Sequence, residues 1–300
     1  MHLLRAPALA AVVVLACEAA GPTRQFDGEA ALRAVETQVA FGPRIPGTPG
    51  HAAEAAWLDS LLVPLADTLI VQRWTHVTAA GDSLPLVNFV ARFNPGATER
   101  LLFLAHWDTR PLADGPASGD TTAAVPGAND GASGVAVLLG VAQALRQQPP
   151  TIGVDLLFVD GEDYGVFDDK ADVLIGSRYY AANLPPGPLP LYAVLFDMVG
   201  DRDLQIYQEG NSLTGAPEVV DLVWSVARKA GHGNVFIPAP RHTITDDHIS
   251  LQAKGIRAID VVDFDYPSWH TPEDTPDKVS AQSLQAVGSV ALALVANSER

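Results

Sequence analysis

Five short stretches of this chain carry side chains able to do chemistry together. Tyr266-Pro267-Ser268-Trp269-His270-Thr271 lies near the C-terminus. Upstream stand His106-Trp107-Asp108, Asn129-Asp130, Gly161-Glu162-Asp163 and Asp197. Their reactive groups are imidazoles and carboxylates. Carboxylates gathered at one place repel one another unless a positive charge sits among them. A divalent metal is the simplest such charge, and a His/Asp/Glu set suits zinc.

Each stretch alone has two readings. In His106-x-Asp108 both side chains fall on one side of an extended segment, so Asp108 can orient the imidazole, or His106 is an ordinary loop histidine. Asp130 lies at a helix start among Gly127, Gly131 and Gly134, where it can meet a ligand or act as an N-cap. Glu162 and Asp163 are adjacent acids that point different ways. One can bind metal while the other serves as general base, or both belong to a solvated acidic loop. Asp246-Asp247-His248 joins the set, with His248 read as a structural, hydrogen-bonded histidine.

The elements that must position these residues follow from hydrophobic periodicity. Helices are expected over 29–40, 51–65, 132–147, 177–182, 217–230 and 280–296, and strands over 68–77, 86–93, 101–105, 154–159, 191–196 and 256–262. The continuous apolar run Leu101–Ala105 is typical of a strand buried on both faces. Alternating strands and helices imply an α/β fold: a single domain with a central mixed, mostly parallel sheet flanked by helices on both faces. Ligands of open α/β sheets bind beyond the carboxyl ends of the strands. His106, Glu162–Asp163 and Asp197 each follow a strand, His270 follows the last one, and Asp130 stands at a loop-to-helix junction. One shared site at one edge of the sheet is expected. The Gly/Ala/Pro/Thr-rich segment Arg110–Pro126 beside it is read as a mobile loop rather than a lid.

The chain has 300 residues, 48% of them apolar, which allows a sizeable core. Its formal charge of −16 argues against nucleic acid or an anionic membrane surface as partner. Residues 1–17 read as a signal peptide: a positive charge at Arg5, then nine apolar residues from Ala8 to Ala16, too few to span a bilayer. Ala16 before Cys17, the single cysteine, resembles a bacterial lipoprotein cleavage site at which the thiol would be lipidated; the alternatives are an ordinary signal peptide with a cysteine near the cut, or an uncleaved anchor. Residues 18–28 are expected to be a tether and 29–300 the catalytic domain. The protein is expected to be exported, as a periplasmic or cell-envelope lipoprotein whose membrane contact runs through a lipid on Cys17.

Over roughly residues 30–298, the order of His106-x-Asp108, Asn129-Asp130-Gly131, Glu162-Asp163, Asp197, Asp246-Asp247-His248 and Trp269-His270-Thr271 resembles the zinc aminopeptidase and glutaminyl cyclase superfamily. The resemblance implies the phosphorylase/hydrolase-like form of the α/β fold and two competing branches. A cyclase of the animal type, also found in bacteria, would hold one zinc on residues matching Asp130, Asp163 and His270. Glu162 would shuttle the proton, and Asp197 and Asp246 would form a hydrogen-bonded acidic pair. Zinc polarises the γ-carboxamide of an N-terminal glutamine, and the peptide's own α-amine attacks it with loss of ammonia. An aminopeptidase would hold one or two metals, the second on His106 and Asp197 with Asp130 bridging, and Glu162 would deprotonate the attacking water. Trp269, before the final histidine, looks more like the cyclase branch, and Trp269 and Trp107 are expected to line the substrate pocket. Asp163 departs from the vertebrate cyclases and many of the aminopeptidases, which have Glu there. The implied substrates are peptide or protein N-termini.

Overall fold

Alternation along the central strands divides the core in two. The computed structural model describes residues 24–167 and 171–300. The signal-peptide reading and Cys17 lie outside the described residues. In β3 (Arg100–His106), Leu101, Phe103 and Ala105 point into one hydrophobic layer, and Leu102 and Leu104 into the other. Successive side chains of a strand face opposite sides, so an uninterrupted apolar run needs a layer of helices on each.

The other strands are β1 (Thr68–Val77), β2 (Ser83–Phe93), β4 (Gly153–Val159), β5 (Ala193–Asp197) and β8 (Ala258–Val262), in the order β1-β2-β4-β3-β5-β8. β4, β3, β5 and β8 run parallel, while β1–β2 and β2–β4 pair antiparallel. The sheet is therefore mixed, with a parallel centre. Helices α1 (Gly28–Ala40), α2 (Pro49–Leu65), α3 (Ala132–Gln147), α6 (Pro217–Lys229) and α8 (Ala281–Ser298) cover the larger core. Tyr180 of α4 (Ile175–Ala182) and Leu251 of α7 (Asp247–Gln252) close the smaller one. Register pairs His106 with Val159 and Asp197 with Val262, which brings the parallel strands to a common edge at their carboxyl ends.

Two features differ from the sequence expectation. A two-stranded parallel sheet, β6 (Ile206–Gln208) with β7 (Phe236–Pro240), and the short helices α5 (Gly210–Gly215) and α7 fill the stretches expected to be irregular. These elements are too short to show periodicity. The tether does not run free to Gly28. Arg24 forms a bidentate pair with Glu299, and Phe26 is buried against Gly140 and Gly288, where a Cβ would meet its ring at 2.3 Å. Among the described residues no helix is long and apolar enough to cross a membrane.

Candidate metal centre and active site

The strand ends deliver their reactive side chains to one point. His106 ends β3 and Asp197 ends β5, while Glu162 and Asp163 lie in the turn after β4. Asp130 precedes α3. It is not an N-cap: Gly131 holds that position and no side chain caps the helix. Instead, Asp130 turns Oδ1 to His106 Nε2 at 3.1 Å and Oδ2 toward His270 Nε2 at 3.5 Å. Gly131 is needed for this approach, since a Cβ there would lie 2.5 Å from the His106 ring.

Two trios result, sharing Asp130. His106 Nε2 is 3.1 Å from Asp197 Oδ1, and His270 Nε2 is 3.2 Å from Asp163 Oδ1. The ligating atoms of His106, Asp130 and Asp197 lie within 4.8 Å of one another, as do those of Asp130, Asp163 and His270. All five residues are buried. Asp163 Oδ2 has no hydrogen-bond partner, and leaving a buried carboxylate oxygen unpaired is costly. Two carboxylates and one imidazole around an unpartnered oxygen fit a zinc ion.

The electrostatics express the same demand. Burial pulls the His270 imidazole down, but the charges of Asp163, Asp114 and Asp130 outweigh it and push the group up to about 10. Burial acts on His106 in the same way and is overcome by Asp108, Asp130 and Asp197, so it too is held well above the usual histidine range. Burial, reinforced by the charges of Asp246 and Asp163, drives Glu162 well above the usual carboxyl range. Burial and the charge of Asp197 do the same for Asp246. A carboxylate raised in this way is a stronger base than an ordinary one.

Asp130, Asp163, His270, Glu162, Asp197 and Asp246 all line one cavity of about 290 Å³, together with Trp269, Phe264 and Ile244. Trp269 stacks on His270 with ring centroids 4.1 Å apart. Trp107 is a correction to the sequence reading. It does not line the pocket: it is fully buried, donates Nε1–H to the Val87 carbonyl at 3.2 Å and stacks on His51 at 4.4 Å. Side chains alternate along this segment, so its neighbours His106 and Asp108 face the site while Trp107 points into the core. His248 is fully buried with Nε2 3.4 Å from Glu209 Oε2, but neither ring nitrogen makes the hydrogen bond expected of it.

Asp108 differs in its partner. It lies 3.5 Å from His106 Nδ1, but its closer contacts are the backbone N–H groups of Glu162 (3.0 Å) and Asp163 (3.1 Å). The sequence reading did not find Asp274, which accepts from the backbone N–H groups of Asn129 (2.8 Å) and Asp130 (3.1 Å) and from the Tyr266 hydroxyl (2.7 Å). Nor did it find Arg44, which donates to the carbonyls of Pro126 and Gly127 and pairs with buried Glu54 at 3.0 Å. Pro/Gly-rich surroundings hid Arg44, and Asp274 reads as one more acid in an acidic segment.

A mixed α/β sheet that gathers buried histidines and carboxylates at the ends of its parallel strands is the architecture of the zinc exopeptidase superfamily. Residues 88–295 match the model of peptidase family M28, and the chain belongs to that family. A glutaminyl-peptide cyclotransferase-like protein of Mus musculus is 29% identical over 77% of this chain and 66% of its own length. A glutaminyl cyclase of Bacteroides thetaiotaomicron, solved with N-acetylhistamine, superposes with a TM-score of 0.87 at 35% identity, covering 92% of this chain and 99% of that one. A protein from the same organism named a leucine aminopeptidase precursor gives 0.88 at 36% identity, over 92% of this chain and 99% of that one.

Proposed function

We propose that this protein is a single-zinc glutaminyl-peptide cyclotransferase that converts an N-terminal glutamine of peptides to pyroglutamate with release of ammonia. The observation that carries the reading is the pocket itself. Buried Glu162 and the Asp130–Asp163–His270 trio share one small cavity, walled by Trp269 stacked on His270. A cavity near 300 Å³ is at the small end of ligand sites and suits one residue rather than a long segment. The glutaminyl cyclase named above supports it.

Asp130, Asp163 and His270 would hold the zinc, which supplies Lewis acidity to the γ-carboxamide oxygen when bound. Glu162 takes a proton from the substrate ammonium, freeing the α-amine to attack the amide carbon. It then returns that proton to the departing ammonia. Asp246 and Asp197 stand beside it as buried acids that share protons rather than ionise together. Trp269 and Phe264 shield the reacting amide from water.

A second reading, an aminopeptidase with two metals, is favoured by the second trio, His106, Asp130 and Asp197. There, Glu162 would take its proton from water. The apolar stretch ending at Cys17 supports an exported, envelope-associated enzyme in either case. Glu162→Gln tests the central role. Zinc content should stay at one per chain while ammonia release falls by about 10²–10⁴-fold. Loss of zinc in that variant would make Glu162 a ligand and overturn the assignment.

A further inference from the structure

The segment Arg110–Pro126, expected to be a mobile loop, sends residues back into the site. Ala113 and Val125 are fully buried, and Ala113 N–H bonds to the Ala123 carbonyl at 2.8 Å. Asp114 Oδ1 lies 3.1 Å from His270 Nδ1. The next residue donates its backbone N–H to the His270 carbonyl at 3.0 Å. That residue is Gly115, where a Cβ would lie 2.2 Å from the Trp269 carbonyl oxygen. His270 itself has φ +53, a left-handed conformation that non-glycine residues adopt at a cost. Asp114 and Gly115 therefore clasp it by side chain and by backbone together.

Arg110 completes the arrangement. Its guanidinium forks onto Asp114, Nε to Oδ1 at 3.0 Å and NH2 to Oδ2 at 2.6 Å. The remaining nitrogen, NH1, reaches the Asp163 carbonyl at 2.9 Å, the Gly165 carbonyl at 2.5 Å and Asp163 Oδ1 at 3.5 Å. The Arg110 side chain is only 8% exposed. One planar, always-charged group thus links the partner of His270 to the residue that faces His270 across the trio.

We propose that Arg110 and Asp114 are a positioning pair that presets His270 and Asp163 as zinc ligands. The inference rests on the reading of Asp130, Asp163 and His270 as the zinc site. Asp114 accepts the Nδ1–H, so the Nε2 lone pair points at the space between Asp130 and Asp163. Arg110 fixes the Glu162–Asp163 turn from the opposite side and compensates the Asp114 charge. A group that only stiffened the loop would not need to touch both ligands.

Zinc affinity, measured by competition with a chromophoric chelator, tests this on the full-length metal-free protein, alongside its thermal midpoint. Asp114→Ala should weaken zinc by about 10–100-fold. Asp114→Asn, which keeps an acceptor for Nδ1–H but loses the charge pairing with Arg110, should fall between it and the parent. The midpoint of the metal-free protein should move little, because the Asp114 side chain is 45% exposed. Unchanged zinc affinity in Asp114→Ala overturns the proposal, as does a weakening matched by collapse of the metal-free fold. Asp163→Asn and His270→Ala separate the two levels. If both leave zinc binding intact, the zinc-site reading itself fails. If both abolish it while Asp114→Ala does not, only the positioning pair fails.

Discussion

Asp108 holds Glu162 by its backbone. Its Oδ1 accepts the Glu162 N–H at 3.0 Å, and its other oxygen accepts the Asp163 N–H at 3.1 Å. The proposed proton shuttle and the proposed metal ligand are thus aimed by one fully buried carboxylate that lines no part of the cavity. Asp108→Ala leaves two buried N–H groups unpaired, at roughly 1–3 kcal/mol each. Its kcat/KM should fall by at least about 10-fold, because small displacements of reacting groups are costly. Steady-state kinetics checks it, and parent-like kcat/KM would show that the turn is held without Asp108.

Asp274 does the same for the other turn, binding the N–H groups of Asn129 and Asp130, with Tyr266 donating to it. Tyr266→Phe removes one hydrogen bond to an acid and should cost about 1–3 kcal/mol. Asp274→Ala strands two N–H groups and the tyrosine hydroxyl, and should cost more. Thermal denaturation of the metal-free variants gives the order; equal midpoints for the two would contradict it.

The two tryptophans should separate cleanly. Trp269 walls the cavity and Trp107 is core. Trp269→Ala should raise KM or lower kcat by about 10-fold or more, consistent with loss of a large aromatic contact. Its midpoint should change little. Trp107→Phe should lower the midpoint, since it removes a buried ring and its Nε1–H bond to Val87. Its KM should stay near the parent's. Kinetics and melting on both variants decide this, and the reverse pattern would return Trp107 to the pocket.

Stability should decline as pH rises through neutrality. Burial pushes Glu54 up to about 7 against the pull of Arg44, and Asp160 up to about 6 against the pull of His51. Both values lie above the unfolded range near 4. The stabilisation of their neutral forms is full below about pH 4 and fades as pH climbs through about 6 and 7. The folded protein should melt several degrees lower at about pH 8 than at about pH 5. Glu54→Gln should flatten part of that slope; an unchanged slope would remove Glu54 as a contributor.

The legible parts of the molecule were those with a repeating physical signal. Leu101–Ala105 reads as a strand buried on both faces, and the placement of His106, Asp197 and Glu162–Asp163 after such runs locates the site. What stayed hidden has no period. Asp114 and Asp274 act through hydrogen bonds that reach across more than a hundred residues, and nothing local marks an acid that will fold back onto His270 or Asn129. Trp107 lies between two chemistry-bearing residues, and alternation turns it inward. Asp108 stands out as an acid, but its main partner is the backbone of the turn after the neighbouring strand, β4.

Glutamine cyclisation is tested most directly by a paired assay on the zinc-loaded protein. Ammonia and pyroglutamyl product are followed from a Gln-initiated dipeptide, and leucine release from a chromogenic leucine amide under the same conditions. Ammonia and pyroglutamyl product without leucine release is the predicted result. Leucine release without ammonia would contradict the cyclase reading and make the second trio, His106, Asp130 and Asp197, the half of a two-metal peptidase site.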